Sequence, residues 1–93
     1  MSRKMVTRSI GAANLWTDAV HLVGYFNLSI SDDWTATVTV QRSFDQGDTW
    51  HVVDTWTENA QEYGLEPEGG VYYRVGIAAG DYTAGTCVVR LSQ

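Results

Sequence analysis

The densest run of chemically capable side chains lies at residues 43–50, Ser-Phe-Asp-Gln-Gly-Asp-Thr-Trp. It holds two carboxylates, Asp45 and Asp48, and two hydroxyls, Ser43 and Thr49. Two carboxylates without further oxygen donors make a poor calcium cage. The spacing suits a hairpin turn better. Asp45 can accept bonds from backbone N–H groups, Gly47 can take the positive φ that closes the turn, and Trp50 can fold back onto it. The remaining candidates do not converge. His21 and His51 each sit inside a predicted strand, with no neighbouring Ser or Cys in a nucleophile context. Asp32 and Asp33 are adjacent strand-end residues that point to opposite faces, so they cannot flank one bond as acid and base. Glu62, Glu66 and Glu68 read as a solvated acidic patch. Gly69 and Gly70 lack the Lys and helix that follow a phosphate loop. Cys87 reads as a buried small hydrophobe, with Arg90 its nearest basic neighbour. No catalytic residue, metal site or cofactor is expected.

Strands must position these residues, because helical periodicity is nearly absent. Strand-like segments recur about every ten residues. The first is 4–10, an edge strand, followed by a loop at 11–18. Segment 19–30 places Phe26, Leu28 and Ile30 on one face and Tyr25, Asn27 and Ser29 on the other, with Gly24 at a bend. Segment 34–43 alternates Trp34, Ala36, Val38 and Val40, facing a core, with Thr35, Thr37, Thr39 and Gln41, facing solvent or a neighbouring subunit. Segments 50–57, 59–64, 71–79 and 86–91 follow, with turns at 66–70 and 80–85. In 71–79, Val71, Tyr73, Val75 and Ile77 share the inward face. The expected fold is all-β, a single sandwich of about seven strands, immunoglobulin-like or fibronectin-III-like, with a jelly roll as the alternative. Residues 1–10 form a basic arm or edge strand and 11–93 the sandwich domain.

Length and charge bound the rest. Ninety-three residues make one domain, small enough to benefit from self-association. One Cys excludes an internal disulfide. Arg3, Lys4 and Arg8 are half of the 6 basic residues, so residues 9–93 carry 3 basic against all 11 acidic side chains, a balance of −8. Such a body repels phosphates, so nucleic acid is not an expected partner. Neither a signal peptide nor a membrane span is expected. Arg3, Lys4 and Arg8 form a possible docking arm for an acidic partner. The chain has more aromatics than a core of this size needs, with Trp34 and Trp50 assigned inward. Trp16, Trp56, Tyr72 and Tyr82 are candidates for an exposed interface or for stacking on sugars, as in a carbohydrate-binding module.

Residues 43–50 match S-x-D-x-G-x-T-W, the Asp-box, at Ser43, Asp45, Gly47, Thr49 and Trp50. The motif is similar to turns of sialidases and related propellers, which implies a structural role. Leu65-Glu66-Pro67 and Tyr72-Tyr73-Arg74-Val75 resemble the run entering strand F of fibronectin modules. From about residue 35 onward the chain also resembles small structural proteins of tailed bacteriophages. That likeness is carried by residues 38–50, by Tyr72-Tyr73-Arg74-Val75-Gly76, by residues 80–86 and by the terminal Val89-Arg90-Leu91-Ser92-Gln93. It implies a virion component made in the host cytoplasm, with no enzymatic role. A capsid decoration or cement protein on the outer head is the first expectation. Its partners would be capsid or other virion proteins, and it would act as a homo-oligomer, with a trimer favoured. A neck, tail or baseplate part is the alternative.

Overall fold

The computed structural model describes residues 4–93, and every regular element in them is a strand. In chain order these are β1 (Met5–Ile10), β2 (Leu15–Trp16), β3 (Val20–His21), β4 (Gly24–Ser31), β5 (Trp34–Ala36), β6 (Val38–Ser43), β7 (His51–Trp56), β8 (Ala60–Glu66), β9 (Tyr72–Ile77), β10 (Tyr82–Gly85) and β11 (Cys87–Ser92). One sheet runs β1-β11-β4-β8. The facing sheet runs β2-β9-β6-β7, with β3 also on β9, and β5 and β10 form a separate ribbon. The chain is thus the expected all-β sandwich.

The strand pairing has a simple logic. Met5 pairs with Ser92, Leu15 with Ile77, His21 with Tyr72, Tyr25 with Leu65, and Val38 with Trp56. Partners move inward from both ends of the chain toward the turn at 43–50. These ladders are rungs of one long antiparallel hairpin. A second set of pairs appears where the hairpin rolls onto itself: Ser31 with Val88, Trp34 with Gly85, and Thr39 with Gly76. In an immunoglobulin sandwich the last strand lies in the same sheet as the strand before it. Here β11 leaves the sheet of β9 and inserts between β1 and β4. This order is the jelly roll, the second of the two architectures considered.

The core follows from period-two patterning. Phe26, Leu28 and Ile30 of β4 meet Val38 and Val40 of β6, Tyr73, Val75 and Ile77 of β9, and Cys87, Val89 and Leu91 of β11, all buried. Trp34 and Ala36 pack at its margin. The Phe26 ring lies across Gly64 of β8, where an added Cβ would stand 2.8 Å from Cζ. It also packs on Tyr73 at 4.9 Å between centroids.

Three expected boundaries shift. Segment 34–43 is two strands, because the chain changes partner between them: Ala36 pairs with Tyr82, whereas Val38 pairs with Trp56. The Thr37 amide between them donates to the Asp81 carbonyl at 2.9 Å. The threonine face is correspondingly uneven, with Thr35 exposed and Thr39 buried beside Gly76 of β9. The loop at 80–85 supplies β10, and the loop at 11–18 supplies β2. Thr17 joins β2 to β3 along β9. Its amide donates to Val75 O and its hydroxyl accepts from Val75 N, so a side chain stands in for a strand carbonyl.

Gly76 is where β2 crosses β9 most closely. A Cβ there would overlap the Leu15 carbonyl and the Trp16 backbone, whereas one at Gly69 would meet nothing. Gly76→Ala is expected to destabilise the fold by about 1–3 kcal/mol, in the range of overpacking. Gly69→Ala is expected to leave the urea unfolding midpoint within error.

Candidate functional site

The turn at 43–50 folds by side-chain bonds, as its composition requires. The Ser43 hydroxyl donates to Asp45 Oδ1 at 2.6 Å and accepts from the amides of Gly47 at 2.8 Å and Asp45 at 3.3 Å. Asp45 Oδ1 also accepts from the Thr49 amide at 2.8 Å. Gln46 and Gly47 have φ of 61° and 98°, the left-handed region that lets the chain reverse. The Ser43 bond, followed by that of the Thr49 amide, pulls the Asp45 carboxyl down to about 2. Asp45 accepts a turn amide and Gly47 takes a positive φ, as expected, whereas the central place of the Ser43 hydroxyl is an addition. Thr49 contributes its amide, which any residue type carries.

Trp50 differs from its inward assignment. Its ring lies beside Gly47, where a Cβ would stand 3.5 Å from Cζ2, on the outer face of the β2-β9-β6-β7 sheet. The reason is Arg74, which alternates outward between the buried Tyr73 and Val75 of β9. Its guanidinium sits between two indoles, 4.3 Å from the Trp16 centroid and 4.4 Å from that of Trp50. Its Nε donates to Gln41 Oε1 at 2.9 Å. Burial holds this guanidinium below its usual value. The stack ties β2 to the tip of the β6–β7 hairpin across the sheet. Sequence reading missed it because Trp16, Trp50 and Arg74 come together only when β9 lies between β2 and β6.

Glu66 overturns the solvated reading of its patch. It is 1 % exposed and sits between the sheets at one end of the sandwich. Its Oε1 accepts from the Tyr73 hydroxyl at 2.7 Å and from Arg42 Nη1 at 3.2 Å, and its Oε2 from the Glu68 amide at 3.1 Å. Burial alone would raise this carboxyl, but the Tyr73 hydroxyl, the Glu68 amide and Arg42 outweigh it, and the net shift is downward. Burial and the bond to Glu66 push Tyr73 up to about 12. The feature that could have pointed to Glu66 is its place in β8, where Ala60, Glu62, Gly64 and Glu66 alternate against Gln61, Tyr63 and Leu65. The larger apolar residues there face outward.

The other candidates are dispersed. Arg3 lies outside the described residues. Lys4 Nζ is 3.2 Å from His21 Nδ1, and Arg8 Nη1 donates to the Trp16 carbonyl at 2.7 Å, so β1 is a paired edge strand with its cations turned toward β2 and β3. His21 Nε2 accepts from the Gly70 amide, and His51 packs beside Phe44. Cys87 is buried, and burial, with Asp32 adding to it, pushes its thiol up to about 11. Trp16, Trp56, Tyr72 and Tyr82 are all half-buried and share no one surface. Trp16 covers Arg74, Trp56 packs on the core, Tyr72 stacks on His21, and the Tyr82 hydroxyl donates to Gly85 O. The most exposed aromatics are Tyr63, Tyr25 and Phe44. Among the described residues, no three His, Cys, Asp or Glu side chains converge.

No family model matches this chain, and no curated protein or solved structure is similar to it.

Two carboxyls, Asp45 and Glu66, are held below their usual values in the folded chain. Groups shifted in this direction stabilise above the unfolded value and lose that contribution as pH falls through the folded one. Urea midpoints are therefore expected to drop between about pH 4 and pH 2. Asp45→Asn is expected to be less stable than the parent at pH 6, and the gap should close across the same window. Tyr73→Phe removes one bond to a buried carboxylate and is expected to cost about 1.5–3 kcal/mol at pH 7.

Proposed function

We propose that this chain is a virion structural protein of a tailed bacteriophage, a decoration or cement protein of the outer head surface that works in several copies. The observation carrying this reading is the unlike character of the sandwich's two sides. On one side β7 and β8 are the free edges of their sheets, exposed over most of their length. They present Val52, Val53, Tyr63 and Leu65 together with Asp54 and Glu62. Between them a cleft of about 140 Å³ reaches the core residues Phe26, Leu28, Val40 and Leu91. On the other side the edges are β2 with β3, and β1, whose Arg8 and preceding Lys4 reach to Trp16 and His21.

Bare edges with apolar side chains are a liability for an isolated domain and an asset for one that assembles. An acidic apolar edge and a basic edge on one molecule favour head-to-tail contact, and head-to-tail contacts close into rings. A trimer is the smallest such ring. The likeness of residues 38–50, 72–76, 80–86 and 89–93 to small phage proteins supports the virion setting, and a jelly roll suits a shell component.

Cryo-electron microscopy of the virions that encode this chain tests the location. Jelly-roll density of this size on the outer head is the expected result. Heads without it refute the decoration role, and density at the neck, tail or baseplate would move the protein there. Light scattering behind size exclusion tests the assembly separately. Three times the chain mass is expected at low salt, falling toward one in Val53→Asp.

A further inference from the structure

The outer face of the β1-β11-β4-β8 sheet carries a second feature, which meets the assembling edge at Tyr63 and Glu62 of β8. Side chains there stand in rows fixed by the register. Thr7, Arg90, Ser29 and Gln61 form one row, and Ser92, Asn27 and Tyr63 the next. Tyr25 and Leu65 face each other beyond them. A groove of about 360 Å³ crosses the first two rows. Tyr63 lines it, and the Tyr25 ring lies beside that of Tyr63, 6.4 Å between centroids; the two are 76 % and 69 % exposed.

The polar groups in this groove are only partly engaged. Gln61 Nε2 donates to the Ser29 hydroxyl at 2.9 Å, which leaves Gln61 Oε1 and the Ser29 proton available. The Asn27 amide makes no side-chain hydrogen bond among the described residues, and Arg90, half-buried, lines the same groove.

We propose that this groove binds a neutral oligosaccharide. The chemistry matches term by term. Two amides, a hydroxyl and a guanidinium can donate to and accept from vicinal hydroxyls, and tyrosine rings offer flat faces to the C–H side of a sugar. The ligand is uncharged because Glu62 shares the groove wall with Arg90 and the body of the chain is acidic. Asn27 and Ser29 of β4 and Arg90 and Ser92 of β11 place the rest of the groove inside the sheet, so a contact at the β8 edge reaches only its Gln61–Tyr63 end. The groove differs from the aromatic set read from the sequence, since neither Trp16, Trp56, Tyr72 nor Tyr82 lines it.

Titration of the ¹⁵N-labelled chain with maltohexaose, cellohexaose and chitohexaose, with a heparin hexasaccharide as the charged control, tests this directly. At least one neutral sugar is expected to shift the amides of Asn27, Ser29, Gln61, Tyr63 and Arg90 and to bind more tightly than heparin. Tyr63→Ala removes a side chain that packs little of the core and is expected to weaken binding at least about fivefold while the chain stays folded. Gln61→Ala is expected to act in the same direction. The proposal is overturned if none of the three sugars shifts these amides, if the shifts map elsewhere, if heparin binds more tightly, or if both variants bind like the parent.

Discussion

Two side-chain oxygens, Ser43 Oγ and Asp45 Oδ1, close the reversal between β6 and β7 by taking up the amides of Asp45, Gly47 and Thr49. The rest of the structure depends on that closure. The turn is the tip of a single hairpin that runs the length of the described chain, from Arg42 with His51 at its tip to Met5 with Ser92 at its open end. In a strand ladder a slip of one residue sends every side chain to the wrong face. The tip sets the register from Arg42 with His51, and a bulge that leaves Val53 unpaired resets it once before Val40 meets Asp54. Trp50 adds a lateral tie, because Arg74 is held between it and Trp16.

Rolling the hairpin then produces the second set of pairs and closes the sandwich around a small core. The core is almost wholly aliphatic apart from Phe26, Tyr73 and Cys87. Its one buried carboxylate, Glu66, sits at the end of the sandwich where Arg42 and the Tyr73 hydroxyl reach it. A buried pair of this kind contributes little net stability, but a partner missing from it is costly. Glu66 therefore acts as a geometric constraint, which specifies how β6, β8 and β9 meet. The sheet faces and edges left over supply the surfaces on which function depends. Two bare edges at one side suit assembly, and a polar face beside two tyrosines suits a ligand.

Much of this was legible in the chain. Alternation in β4, β6 and β9 placed Phe26, Leu28, Ile30, Val38, Val40, Tyr73, Val75 and Ile77 inward, as observed. The residue types at 43–50 announced the turn and the roles of Asp45 and Gly47. Alternation reports only which face a side chain takes, not which strand lies beside it. The insertion of β11 between β1 and β4 was therefore not readable, since Cys87, Val89 and Leu91 would be buried in either sheet. Glu66 was misread for a related reason. A carboxylate shows its burial only through partners, and Arg42 and Tyr73 are 24 and 7 residues away. Tyr25 was read correctly as outward, but the groove beside it needs β11 in place to supply Arg90.

The central claim is the rolled-hairpin order, and cross-strand proton contacts read it most directly. In solution, Leu91 is predicted to show nuclear Overhauser contacts to Val6 on one side and Leu28 on the other, while Gly76 shows them to Trp16 and Thr39. Contacts that instead place β11 beside β9, with none to β1 or β4, would contradict the account.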